Sequence, residues 1–123
     1  MALRLPLAPG GTPLTRNQNI KIGGTALATP TALHQTGATQ MDEVWIEATN
    51  TDTVSHTLTV LHGIATLAGG VSPDDTMSIT IPPKGAGWVM VLQGESFTGS
   101  SIVGAFADTA NVINVRGWIN RIG

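Results

Sequence analysis

The chain of 123 residues has no cysteine and no tyrosine, and charged side chains make up only 11% of it. The missing cysteine excludes disulfides, zinc–thiolate centres and thiol nucleophiles together. Stability must then come from a packed core or from assembly with other subunits. Charge at less than half of the roughly 25% usual in soluble domains leaves Thr, Gly, Ala and Asn to cover the surface. Such an exterior suits a protein held against neighbouring subunits. The six Lys and Arg stand singly and the formal net charge is −2. No basic stripe can neutralise phosphates, so no nucleic-acid partner is expected. Long hydrophobic runs are missing too. The N-terminal stretch MALRLPLAPGG is interrupted by Pro6 and Pro9, too short and broken for a signal peptide or a membrane span; no membrane partner is expected, and assembly in the cytoplasm is. Nowhere do ten or more residues keep a helical period.

What is there divides in two. Residues 1–16 carry Pro6, Pro9, Gly10, Gly11 and Pro13, which exclude a helix and favour an extended path. They read as an N-terminal arm, and residues 17–123 as the folded domain. Leu3, Leu5 and Leu7 alternate with Arg4 and Pro6, placing three leucines on one side of an extended segment. Either the arm docks on a neighbour, by strand addition or in a groove, or it frays as termini often do. On this reading, removing residues 1–16 leaves the domain folded.

From Asn17 onward short β-prone runs recur every eight to twelve residues between Gly, Pro, Asn, Asp and Ser clusters. The expected strands are residues 17–22, 25–29, 31–36, 43–50, 55–62, 76–81, 86–92, 101–107 and 111–122. The fold class is therefore all-β, an antiparallel β-sandwich or jelly roll of eight or nine short strands. Residues 51–54 are expected as a hairpin loop, and Pro82, Pro83 and Gly85 as a tight corner. Val44, Ile46 and Ala48 are expected to face the core, with Trp45, Glu47 and Thr49 on the other side. In the last run Arg116 and Trp118 lie opposite Ile113, Val115 and Ile119. The run around Trp88, apolar on both sides, reads as a central strand.

The chemistry-bearing residues form no reactive constellation. His34, His56 and His62 read as hydrogen-bonded surface residues; the last two are too far apart, at about 3.3 Å per residue, to share a metal ion. Asp42–Glu43 and Asp74–Asp75 sit beside strand starts and read as turn chemistry. The glycine pairs lack the Lys and helix of a phosphate loop, and no nucleophile motif stands beside any His. No catalytic residue, cofactor or metal is expected. The candidate surface is instead the face bearing Trp45, Glu47, Arg116 and Trp118, because aromatic and Arg side chains supply most of the binding energy at protein interfaces. The alternative is that the tryptophans complete a small core.

Residues 43 to 122, with the runs VWIEATNTDTVSHTLTVLHG, IPPKGAGWVMVL and FADTANVINVRGWINRI, resemble small β-sandwich virion structural proteins of tailed bacteriophages. The resemblance implies a capsid decoration (cement) protein. Such a protein binds the outer capsid lattice as a homo-oligomer, often a trimer. It also implies that Leu3, Arg4, Leu5, Leu7 and Arg16 of the arm touch the major capsid protein. A head-to-tail connector or tail component is the alternative within that class. From another class, a carbohydrate-binding module would stack sugars on Trp45 or Trp118, a reading weakened by the absence of tyrosine.

Overall fold

The computed structural model describes residues 2–122. Strands β4 (Met41–Asn50) and β9 (Ile113–Ile122) form its spine, each ten residues long. Both alternate apolar and polar residues, and they pair antiparallel without a break from Met41↔Ile122 to Asn50↔Ile113. This register turns Val44, Ile46, Ala48, Ile113, Val115 and Ile119 inward, all essentially without solvent exposure. It turns Trp45, Glu47, Arg116 and Trp118 outward, because successive side chains of a strand point to opposite faces.

β1 (Ala2–Pro6) and β2 (Ile20–Lys21) share one flank of β9, and β7 (Val89–Phe97) lies on the far side of β4. The second sheet runs β3 (Thr31–Gln35), β8 (Ile102–Ala107), β5 (His56–Ile64), β6 (Thr76–Ile81) in space. Leu33, Leu58, Val60, Ile81, Val103 and Ala105 from that sheet meet the inward residues of the first to close a single core. From β2 onward the chain changes sheet at every connection except β5–β6. With β1 and β2 sharing one position, the orders β1-β9-β4-β7 and β3-β8-β5-β6 are those of a jelly roll, a sandwich with no parallel pairs among the described strands. The all-β sandwich expected from the sequence is therefore the fold observed.

Several local expectations change. Residues 25–29 are a turn rather than a strand, closed by the Thr29 amide donating to the Ala26 carbonyl at 3.1 Å. Residues 51–54 do not close a hairpin; they carry the chain from one sheet to the other. Buried Asn50 directs that crossing, its amide nitrogen donating to the Val54 and Ile81 carbonyls and its oxygen accepting from the Asp52 amide. Residues 82–87 likewise carry the chain between sheets. β7 is an outer strand, not a central one, and Trp88 lies just before it. Its apolar residues are explained by bulges against β4, which break strict alternation.

The described residues of the 1–16 segment are integrated in the fold. β1 pairs with β9 of the same chain from Ala2↔Ile122 to Pro6↔Trp118. Leu7 is fully buried in the core and Leu5 and Leu14 pack against it, while Leu3 is exposed. The strand addition read from the leucine alternation is thus made within the chain. β9 offers a free row of backbone groups on that flank, and an unpaired edge takes the nearest extended segment.

Candidate functional site

Four strands assemble a ladder on the outer face of the first sheet. Cross-strand partners Trp45 and Trp118 stack with ring planes 6° apart and centroids 5.9 Å apart, an offset arrangement that stabilises beyond area burial. On the β7 side Gly94, at φ +83, lies against the benzo ring of Trp45, where a Cβ would come within 2.9 Å. Only glycine adopts that backbone readily and leaves room for the indole. On the β1 side the Arg4 guanidinium sits 4.9 Å over the Trp118 ring, within cation–π range. Both indole Nε1–H groups are buried and meet no acceptor among the described residues. A buried donor left so costs about 1–3 kcal/mol, so stacking and not hydrogen bonding holds the ladder.

A second rung runs beside it. Glu47 and Arg116 are cross-strand partners, and the Arg116 Nε donates to the Glu47 carboxylate. The guanidinium also lies 3.9 Å over the Trp88 ring. The four residues singled out from the sequence as an interface are thus brought together on one face, as two adjacent pairs within one sheet. Arg4 and Arg16 of the N-terminal segment join them; Leu5 and Leu7 point into the core, and Leu3 lies apart.

Between β1 and β2 the flank of β9 is left open opposite Arg116 and Gly117, because the chain dives to the core at Leu7 and returns at Ile20. Two adjoining hollows form there. One of about 320 Å³ is walled by Arg4, Leu5, Pro6, Arg16 and Trp118, and one of about 400 Å³ by Asn17, Asn19, Glu47, Arg116 and Trp118. They share Arg4, Asn17 and Trp118 and so make one groove. Six cations that stand singly in sequence become unevenly placed in space. Arg4, Arg16 and Arg116 line this groove, and only Arg116 has an acidic partner among the described residues.

Two titratable clusters were not legible in the sequence. His34, expected at the surface, is fully buried; its Nδ1 accepts the Ala8 amide at 3.0 Å, so its Nε2–H donates to Asp42 at 2.7 Å. Asp42, expected in a turn, is also fully buried within β4 and receives a two-pronged contact from Arg121 at 2.8 and 3.0 Å. Burial holds the His34 pKa below 6.5, overcoming the opposing pull of Asp42. For Asp42 burial acts upward, but the hydrogen bonds from Arg121 and His34 together win and keep the carboxyl below its ordinary value. The other cluster lies at the opposite end of β4. His56 donates from Nδ1 to Asp108 and from Nε2 to Asp52, both at 2.7 Å. The two carboxylates raise its pKa above 6.5, and a ring donating from both nitrogens is the imidazolium. Both ring nitrogens being engaged, it has no lone pair for a metal. No group of three or more His, Asp or Glu among the described residues is arranged to hold one. The Asp74–Asp75 pair does act in a turn, Asp75 accepting the Val71 amide at 2.8 Å.

No protein-family model, characterised protein or solved structure matches the chain. No helix among the described residues is long and apolar enough to cross a membrane.

Proposed function

We propose that this chain is a phage virion structural protein of the capsid decoration type, which binds the outer capsid lattice through the tryptophan face and performs no catalysis. The observation that carries the reading is the Trp45–Trp118 ladder flanked by Arg4 and Arg116. It is a rigid aromatic and guanidinium surface on the outward side of a sheet, the composition that anchors protein interfaces. The jelly-roll topology supports it as an analogy of fold, since viral coat domains often use this architecture. The partners on this reading are the major capsid protein and further copies of the chain, as a homotrimer. The mechanism is thermodynamic: a protein that binds only the assembled lattice stabilises it by mass action, and many modest contacts add through multivalency.

Sugar stacking fits the ladder less well, because Trp45 and Arg4 already cover the two sides of Trp118. Cryo-electron microscopy of particles carrying the protein tests the proposal. Density on capsid local axes with the tryptophan face buried is the expected result. A single ring at one vertex would move the protein to the connector, and absence from particles would refute the virion reading.

A further inference from the structure

We infer that the groove beside Trp118 receives the Asp74 turn of a second copy of this chain, with the carboxylate seated between Arg4 and Arg16. The inference deepens the proposed function and rests on its self-association part. Arg4 lies over an indole at 4.9 Å, and its guanidinium N–H groups have no acidic partner among the described residues and can fork a carboxylate. Arg16 faces the same hollow, and neither has an acidic partner among the described residues. At the Arg4–Arg16 end the groove therefore presents two guanidinium groups without an acidic partner among the described residues, Glu47 at the other end being taken by Arg116.

The acidic residues single out what fills it. Among the described residues, every acidic side chain apart from Glu43 and Asp74 already has a hydrogen-bond or ion-pair partner inside the molecule. Glu43 lies on the same sheet face as the groove, so Asp74 is the free carboxylate that a different part of the molecule presents. It projects from the β5–β6 connection on a turn tied at both ends, the Val71 amide donating to Asp75 and the Asp75 amide donating to the Val71 carbonyl, each at 2.8 Å. Such a turn loses little freedom on docking. Val71 beside it is 54% exposed, and the groove offers Pro6 and the Trp118 ring as apolar surface next to the guanidinium groups.

β6 ends one sheet, and β1 and β2 flank the opposite side of the other, so groove and turn cannot meet within one molecule. A contact between two different surfaces is heterologous and closes into a ring when the rotation permits. The proposed trimer requires a ring of this kind.

The test uses two charge-reversed chains, Arg4→Glu/Arg16→Glu and Asp74→Arg, and a third chain that carries all three changes, each followed by sedimentation velocity. Each of the first two should associate about tenfold or more weakly than the parent. The third should recover association, because every interface of the ring then pairs an altered groove with an altered turn of opposite charge. Arg16→Glu alone, at an exposed position away from the ladder, serves if the double change disturbs folding. Reversed variants that associate like the parent, or a triple variant that does not recover, overturn the inference while leaving the tryptophan face standing. Unchanged self-association with lost particle binding would assign the groove to a foreign acidic partner and also overturn it. A parent chain that stays monomeric at the highest soluble concentration overturns both the inference and the self-association it rests on.

Discussion

Replacing Asp42 with Ala should destabilise the protein more than almost any other single substitution, although the residue sits in a cluster of only three side chains. Its carboxylate is fully buried and is the shared acceptor of Arg121 and His34, which belong to different sheets. Removing it leaves the Arg121 guanidinium partly buried without its counter-charge and the His34 Nε2–H without an acceptor. Breaking a buried pair in this way costs about 3–5 kcal/mol, the stranded imidazole donor being part of that figure. For a chain of this length each kcal/mol moves the melting temperature by about 3–5 °C, so a fall on the order of 10–20 °C is expected. Circular dichroism melts at neutral pH measure it. Because the cluster is buried, high salt should change the difference little. The triple change His34→Leu/Asp42→Leu/Arg121→Met should be far milder than the single one, since an apolar replacement leaves no charge unpaired. A fall of less than about 3 °C for Asp42→Ala, or a triple variant as unstable as the single one, refutes the reasoning.

The two histidine clusters titrate with opposite sign. His56 is raised above 6.5, so its contribution is fully present below that value and is lost as pH rises through its folded pKa; His56→Gln should flatten the alkaline fall in melting temperature. His34 is lowered by burial, and the Asp42, Asp52 and Asp108 carboxyls are lowered as well, so stability should fall as pH drops below 6.5 and further through the acid range. A melting temperature that does not change between neutral and mildly acid pH would contradict this. Leu7→Ala should cost about 2–5 kcal/mol by opening a cavity in the core. A melt unchanged by that substitution would show that the N-terminal segment is no part of the folded unit.

Part of the candidate site is legible in the amino-acid order. The Trp45/Glu47 and Arg116/Trp118 alternations place each pair on one side of its strand, since a side-chain period of two is a local property. Which strands adjoin is not local. Nothing in the sequence announces that β4 pairs with β9 over its whole length, and only that register turns two separate alternations into stacked indoles and an ion pair. The His34–Asp42–Arg121 cluster was invisible for the same reason: its members are spread across the chain, and each alone looks like an ordinary strand or turn residue. The Asp52–His56–Asp108 cluster was hidden likewise, because Asp108 reaches the other two only through the β8–β9 connection.

The sequence by itself determined that the protein is all-β, lacks disulfides, carries little charge, and alternates Trp45 and Trp118 with aliphatic residues along two long strands. These follow from composition and from the two-residue period of an extended chain. Tertiary structure alone decided that residues 51–54 and 82–87 cross between sheets, that the leucine-bearing segment completes its own chain's sheet, and that scattered arginines gather at one groove. Each of those outcomes depends on which edge or face is nearest when the core closes, and the one-dimensional order of residues does not contain that distance.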